Sequence, residues 1–196
     1  MMRRMALLFL CALFLSGCGQ ASRIYQVGSL ALEVPKAMTV SEDFHDEGKT
    51  FASESVTVNL IQDRANPDDP EGYLLAKMTD IGATEEKYAE KLQGKTVNEY
   101  FLSQEDGVRR AVDSLAAGKI TDVSIQDTTP RDMGDGVQAM QACFTGEDQR
   151  GRRREYRLIQ FYDQGREYRV VAYWDADASR DAQAMMQAML DSLALR

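Results

Sequence analysis

Residues 120–174 alternate between strand-like segments and very short turns, and this pattern constrains the fold more than any other in the chain. The segments are rich in β-branched and aromatic residues, and each turn contains glycine. Connections this short join antiparallel neighbours, because a parallel crossover needs about a dozen residues or more. The pattern predicts an antiparallel meander of four strands: Ile120–Arg131, Gly136–Thr145, Arg152–Tyr162 and Arg166–Trp174.

An amphipathic helix is predicted after the meander. Apolar residues recur at helical spacing from Ala182 to Leu193, and polar residues lie opposite them. Asp177 or Ser179 is the predicted N-cap. This apolar face must be buried, and the predicted sheet offers an apolar surface on which it can pack. We therefore predict an α+β fold, with an antiparallel β-sheet of about six strands and packed helices that include this C-terminal one.

The sequence before the meander predicts further strands and a capped helix. Ile24–Val34 indicates one strand, or two short ones around Gly28, and Ser55–Gln62 alternates as another strand. Thr96–Glu99 has the spacing of a capping box, and apolar residues continue its helical face to Gly118. This spacing predicts a single helix from the cap to that glycine. For residues 73–93 the sequence indicates only a short helix that begins near residue 84.

The first residues have the three parts of a secretory signal peptide. Arg3 and Arg4 precede an apolar run from Ala6 to Leu15, and small residues follow. This run has ten residues, whereas a helix needs about 20 to span the hydrocarbon core. We therefore predict that residues 1–17 are a signal peptide.

Leu15-Ser16-Gly17-Cys18 resembles the bacterial lipobox. The resemblance implies cleavage after Gly17 and acylation of Cys18, and two or more acyl chains hold a protein firmly on a membrane. Residues 18–23 would then be the acylated cysteine with a short tether, and residues 24–196 a single domain. Gly19 follows Cys18 where an inner-membrane retention signal would have Asp, so the resemblance favours the outer membrane, facing the periplasm.

The charge and the cysteines limit the partners of the mature chain. Loss of residues 1–17 removes two arginines from a chain of net charge −8, which leaves about −10. A strongly acidic surface repels phosphate backbones, so we expect no nucleic-acid partner. Cys11 leaves with the signal peptide and Cys18 is acylated, so Cys143 remains alone and no intramolecular disulfide is expected. A lone strand cysteine is most often a small buried apolar residue.

The order of predicted elements resembles the Mog/PsbP-like fold and, within it, the DcrB-like envelope lipoproteins. The likeness rests on Leu30–Pro35, Thr96–Phe101, Tyr156–Tyr162, Tyr168–Tyr173 and Ala182–Leu193. Members of this superfamily are mostly accessory or binding proteins without shared catalytic residues. The resemblance therefore implies a fold and a broad role but no chemistry.

Few residues are candidates for chemistry. His45, the only histidine, lies among carboxylates and is read as an exposed loop residue rather than a metal ligand or pH sensor. Asp63, Asp68, Asp69 and Glu71 are read as a solvated turn rather than a calcium site, because their spacing does not match the regular calcium loop. We therefore predict no catalytic residues, no metal and no cofactor.

Two features are candidates for partner binding. Arg150, Arg152, Arg153 and Arg154 form a basic cluster that is suited to a phosphate, a carboxylate or an acidic partner. The alternative is a hairpin edge whose basic side chains discourage edge-to-edge pairing, or pair with Glu147 and Asp148. The last hairpin also concentrates aromatic residues, including Trp174, which pack into the core or form a binding surface.

The sequence leaves three functional hypotheses. The first is a membrane-anchored, non-enzymatic envelope lipoprotein that binds a protein partner or supports assembly. The second is a small-ligand-binding lipoprotein with an aromatic-lined pocket beside the last hairpin. The third is an unrecognised hydrolase, which would have to use His45.

Overall fold

The structure is a computed structural model that describes residues 21–45, 52–60, 70–103, 107–117 and 119–196. These residues form ten strands and four helices. In chain order they are β1 (Ser22–Val27), β2 (Leu30–Pro35), β3 (Thr39–His45), β4 (Ser53–Leu60), β5 (Gly72–Ala83), α1 (Glu85–Leu92), α2 (Val97–Leu102), α3 (Gly107–Ala116), β6 (Ile120–Asp132), β7 (Gln138–Asp148), β8 (Arg153–Asp163), β9 (Gly165–Asp175), α4 (Arg180–Asp191) and β10 (Ala194–Leu195).

A seven-stranded antiparallel sheet, in the order β3-β4-β5-β9-β8-β7-β6, organises the domain. The predicted meander is confirmed, because β6, β7, β8 and β9 pair in sequence with short turns between them. The α+β class is confirmed as well. The described residues form ten strands instead of about six, because the sequence pattern did not indicate β3, β5 and β10.

β5 is the strand whose absence from the prediction matters most. It pairs with β4 on one side and with β9 on the other, so it lies in the middle of the sheet. Tyr73 and Leu75 point to one face, and Leu74, Ala76 and Met78 point to the other. Because both faces carry apolar residues, the strand lacks the apolar–polar alternation that marks a half-exposed strand.

A smaller sheet and α4 cover one face of the large sheet. β2 pairs with β1 and with β10, and β1 begins at Ser22, two residues before the predicted start of the domain. The apolar stripe of α4 is buried at Ala182, Met186, Met189 and Leu190, as predicted. Of the two predicted N-caps, the structure has Ser179, whose hydroxyl accepts from the amide of Ala182 at 3.2 Å.

Three short helices lie between β5 and β6. The predicted capping box is present, since the Thr96 hydroxyl accepts from the Glu99 amide at 3.1 Å and the Glu99 carboxylate accepts from the Thr96 amide at 2.8 Å. The prediction of a single helix was wrong, because α2 ends at Leu102 before α3 begins. The two helices fill different clusters: Phe101 of α2 stacks on Tyr162, whereas Val112 of α3 packs among residues of β7 and β8.

An asparagine side chain fixes α2 to the ends of two strands. The Asn98 amide nitrogen donates to the carbonyl of Gln138 at 2.6 Å, and its oxygen accepts from the amide of Tyr162 at 2.8 Å. The side chain thus satisfies two backbone groups at strand ends, the Gln138 carbonyl and the Tyr162 amide. The helix is thereby held at a defined position over β7 and β8.

Candidate functional site

The second face of the large sheet carries a row of aromatic residues. Successive residues of a strand point to opposite faces, so Trp174 packs in the core with α4, while Tyr173 lies on the other side. The two neighbouring side chains therefore belong to different clusters, one on each face of the sheet. Tyr173 is directly opposite Tyr73 of β5 and Tyr156 of β8, and Tyr156 is opposite Phe144 of β7.

The four rings form a continuous row across the strands. Tyr73 and Tyr173 stack with ring centroids 5.1 Å apart, and Phe144 and Tyr156 stack at 4.9 Å. Tyr156 and Tyr173 join the two pairs at 5.7 Å. Cross-strand aromatic pairs of this kind stabilise a sheet and hold their rings in place.

The row is covered at one end and open at the other. Ala111 and Val112 of α3 pack on the Phe144–Tyr156 pair, which is buried. Tyr73 and Tyr173 are only partly buried. They form the floor of a cleft of about 430 Å³ that is open to solvent, together with Leu75, Leu115 and Val171.

Basic residues line one side of this cleft. The turn between β7 and β8 is held by Asp148, whose carboxylate accepts from the amides of Arg150 at 2.8 Å and Arg152 at 3.0 Å. It also accepts from the Arg152 guanidinium at 2.9 Å. Partial burial alone would raise the pKa of Asp148, but these hydrogen bonds outweigh it and lower the pKa. The carboxylate therefore stays ionised, and the turn is fixed.

The basic cluster in the sequence divides between the cleft and the opposite face of the sheet. Arg150, Arg152 and Arg154 line the cleft. Arg153 is on the opposite face, where it lies 3.5 Å from Asp122 and donates to the Thr145 hydroxyl at 3.3 Å. The predicted pairing with Asp148 is present for Arg152 and Arg154.

Arg154 is part of the wall of the cleft. Its side chain is 4% exposed, and its Nε lies 3.0 Å from Asp148 and 3.2 Å from Asp175. The guanidinium carbon is 4.4 Å from the ring centre of Tyr173, a cation–π contact. This contact places the Arg154 guanidinium, with its two neighbouring carboxylates, against the aromatic floor.

The phenols of the cleft are held in the neutral form. Burial raises the pKa of Tyr156 to about 12, although the nearby Arg154 guanidinium opposes this shift. Burial also raises the pKa of Tyr73, against the hydrogen bond with Thr57. At neutral pH both hydroxyls are therefore uncharged.

Trp174 lies away from the cleft. It is 3% exposed within the core, and the Arg157 guanidinium carbon lies 4.9 Å from its ring centre. The indole is thus not available to a partner in the cleft, where the aromatic surface consists instead of Tyr73 and Tyr173. Tyr73 was missed in the sequence because β5 was not recognised.

The other sequence candidates fall outside the cleft. Cys18, Gly17 and most of the acidic turn lie outside the described residues. His45 ends β3, opposite Ser53. Cys143 on β7 is half-buried, and its sulfur accepts from Gln141 at 3.8 Å. Among the described residues, no group of three or more His, Cys, Asp or Glu side chains is arranged to hold a metal ion.

None of the described helices is both long enough and apolar enough to cross a membrane.

Comparison with known proteins shows a likeness in fold. No protein-family model matches the sequence, and no curated protein is similar to it. The PsbP protein of the cyanobacterium Synechocystis superposes with a TM-score of 0.50 at 9% identity, covering 90% of this chain and 94% of that chain. This likeness shows a PsbP-like fold and nothing beyond the fold, which confirms that part of the predicted resemblance.

Two weaker likenesses involve other organisms. The Ran-binding protein Mog1p of Saccharomyces cerevisiae has a TM-score of 0.45 at 8% identity, covering 90% of this chain and 96% of that one. A Pseudomonas aeruginosa protein of unknown function has a TM-score of 0.39 at 11% identity, covering 89% and 97% of the two chains.

Proposed function

We propose that this chain is a membrane-anchored, non-enzymatic envelope lipoprotein that acts as a protein-binding module. The observation that carries the binding role is the open cleft above Tyr73 and Tyr173, with basic residues along one side. Tyrosine and arginine are, with tryptophan, enriched among the residues that contribute most to the energy of protein interfaces. Partly exposed rings that are already held by their neighbours lose little conformational freedom when a partner binds.

The anchoring part of the proposal rests on the N-terminal sequence. The lipobox places cleavage after Gly17 and acyl chains on Cys18, and the identity of residue 19 favours the outer membrane, facing the periplasm. β1 begins at Ser22, so only a few residues would separate the acyl group from the domain. At about 3.5 Å per extended residue, the domain would lie within roughly 15 Å of the membrane surface. On the sequence resemblance, we propose that the anchored chain is a DcrB-like lipoprotein.

A labelling experiment tests the anchor. Cells that express the full chain are grown with radioactive palmitate, and the same is done with Cys18→Ser and Cys143→Ser. We expect the label on the wild type and on Cys143→Ser, and its loss from Cys18→Ser together with loss from the membrane fraction. Equal labelling of all three proteins, or of none, would contradict the lipoprotein assignment.

A crosslinking experiment tests the binding role. A photo-crosslinking amino acid is placed at Val171, in the floor of the cleft, and at Gln187, on the exposed side of α4. We expect a protein adduct of reproducible mass from Val171 in intact cells and none of that mass from Gln187. If several cleft positions give no reproducible protein adduct, the protein-binding role is wrong.

A second candidate function is the binding of a small ligand in the same cleft. The observation in its favour is the volume of about 430 Å³ beside the last hairpin, within the range of about 300–1,000 Å³ typical of ligand pockets. Such pockets usually enclose most of their ligand, whereas this cleft is open. Native mass spectrometry of the purified chain would detect a retained ligand, and a mass equal to that of the acylated polypeptide alone would count against this function.

A further inference from the structure

We infer that Ile24, Gln26 and Phe44 form a patch, which we call the β1–β3 patch, that rests on the membrane surface beside the acyl chains. The lipid surface that fits it is one of zwitterionic headgroups. This inference rests on the proposed anchor at Cys18 and extends it, because it gives the orientation of the anchored domain. It does not depend on the binding role of the cleft.

Exposed apolar side chains mark the patch. Among the described residues, Phe44 is 63% exposed and Ile24 is 52% exposed, more than any other large apolar residue. The other two large apolar residues that are exposed in the described ranges, Val123 and Ile125, are at 37% and 38% and lie on β6. Single exposed apolar residues are common on protein surfaces, so exposure alone does not identify a partner.

The two most exposed apolar side chains lie close to each other. Ile24 and Gln26 are two residues apart on β1, so their side chains point to the same face of that strand. Gln26 and Phe44 line one open depression of about 220 Å³. The Gly28 amide, directly after β1, donates to the Glu54 carboxylate at 2.8 Å, and Glu54 is the cross-strand neighbour of Phe44. Ile24 and Phe44 are therefore both next to Gln26, in one patch at the β3 edge of the domain.

The length of chain before β1 argues for a lipid surface as the occupant. Ile24 is six residues after Cys18, and six residues span at most about 21 Å when fully extended. The exposed apolar residues of β6 are at the opposite edge of the large sheet, six strand spacings or roughly 29 Å from β3. The β1–β3 patch is thus the exposed apolar surface that the acyl anchor holds near the headgroups. Since the anchor already confines the domain, contact of two side chains with lipid is an intramolecular step that needs little affinity of its own.

Charge decides the kind of lipid surface. Glu42 and Asp43 are exposed and line the same depression as Phe44, and the whole chain has a net charge of −8. Carboxylates are repelled by the negative surface potential of anionic lipids. A zwitterionic headgroup has no net charge, so the carboxylates can stay at the headgroup level while the side chains of Ile24 and Phe44 reach below it.

The position of the patch also sets the direction of the cleft. The small sheet covers the face of the large sheet that contains Trp174, whereas the cleft is on the face of Tyr173. With β1 against the lipid, the cleft is directed away from the membrane. A protein partner can then reach Tyr73 and Tyr173 from the aqueous side.

Quenching by lipid tests the contact. The full chain, acylated at Cys18 and carrying Cys143→Ser, is bound to vesicles of phosphatidylcholine and phosphatidylethanolamine that contain a bromine-labelled phosphatidylcholine. A fluorescent dye is attached through Gln26→Cys in the patch, or through Gln126→Cys on β6 next to Ile125. The two glutamines are a matched pair, because both are exposed on edge strands beside an exposed apolar residue. We expect the bromine to quench the dye at position 26 and not at position 126.

Substitution of the apolar residues tests their part in the contact. Full burial of a side chain of this size shifts an equilibrium by about one to two powers of ten, and about half of Ile24 and of Phe44 is exposed. We therefore expect Ile24→Ser and Phe44→Ser each to lower the ratio of docked to undocked domain by about three- to tenfold. Quenching at position 26 should fall accordingly. Val123→Ser and Ile125→Ser are the controls on β6 and should leave it unchanged.

The lipid composition tests the choice of headgroup. Phosphatidylglycerol in place of part of the zwitterionic lipid should reduce the quenching at position 26, because its charge repels Glu42 and Asp43. Added salt should restore the quenching, since it screens this repulsion.

Several results would overturn the inference. They are equal quenching at positions 26 and 126, quenching that survives both Ile24→Ser and Phe44→Ser, and stronger quenching on phosphatidylglycerol vesicles. Dye emission at position 26 that follows the protein density on the vesicles, and not their bromine content, would assign the patch to a second copy of the chain. If the chain is bound to the vesicles without quenching at position 26, this inference fails while the anchor stands. If the wild type binds vesicles no better than Cys18→Ser, the anchor fails as well.

Discussion

Replacement of Gly28 by alanine tests how the small sheet packs on the large one. Gly28 lies between β1 and β2 with a φ of +57°, a backbone conformation in which a Cβ is strained. An alanine Cβ would lie 2.8 Å from the Tyr168 hydroxyl oxygen, 3.2 Å from its ring and 3.3 Å from Cγ of Met78. Tyr168 is fully buried, and its hydroxyl lies 2.8 Å from that of Ser29, so the ring has little room to move.

The expected cost of Gly28→Ala combines two effects. A left-handed alanine costs about 1–2 kcal/mol, and overpacking of a dense core costs about 1–3 kcal/mol. We therefore expect the free energy of unfolding to fall by about 2–5 kcal/mol. Gly136→Ala isolates the backbone effect, because Gly136 has a φ of +77° and no other group within 4 Å of the added Cβ.

A double-mutant cycle separates the steric effect. Tyr168→Phe removes the hydroxyl that makes the 2.8 Å approach, at a cost of about 1–3 kcal/mol for its lost hydrogen bonds. Gly28→Ala should then cost at least about 1 kcal/mol less in the Phe background than in the wild type. Urea unfolding followed by the fluorescence of Trp174, the single tryptophan, measures all four proteins. Additive effects, or an equal cost for Gly136→Ala, would refute this account of the packing.

Three further predictions concern the core, the cleft and α2. Met186→Ala should lower the free energy of unfolding by about 2–5 kcal/mol, because Met186 is fully buried. Its neighbour Gln187 is exposed, so Gln187→Ala should change that free energy by less than about 0.5 kcal/mol. Chemical denaturation of the two variants measures the difference. Between pH 10 and 12 the wild type should lose more stability than Tyr156→Phe. The pKa of Tyr156 is about 12 in the folded state and lower in the unfolded chain, so the unfolded chain loses its proton first and is favoured as the pH rises. Equal slopes of the free energy of unfolding against pH would contradict the raised pKa. Asn98→Ala should cost about 2 kcal/mol for its two hydrogen bonds to strand ends, and an unchanged melting temperature would show that they contribute nothing.

Local features of the fold were predictable from the sequence wherever short-range physics decides them. The capping box at Thr96 needs only a hydroxyl and a carboxylate three residues apart. The buried stripe of α4 follows from apolar residues at helical spacing. The prediction of one helix to residue 118 was wrong. The chain forms two short helices because Phe101 packs on Tyr162 whereas Val112 packs in a separate cluster with residues of β7 and β8, and tertiary contacts of this kind are not visible in the sequence.

The cleft could be predicted only in part. The arginines and the tyrosines of the last hairpin were recognised, but Trp174 was included with the surface and Arg153 with the basic group. Strand alternation separates Tyr173 from Trp174, yet it does not say which of the two faces is covered. That depends on α4 and the small sheet, which pack on the side of Trp174.

The sequence by itself determined that β6 to β9 are consecutive antiparallel neighbours, because turns of a few residues leave no other arrangement. Only the tertiary structure decided that β5 lies beside β9, a pairing between residues about a hundred positions apart. No local pattern encodes that contact, because it depends on the burial of β5 between other elements. One face of β5 packs under α4, and on the other face Tyr73 stacks on Tyr173 of β9. The same pairing brings Tyr73 to Tyr173 and thereby forms the cleft.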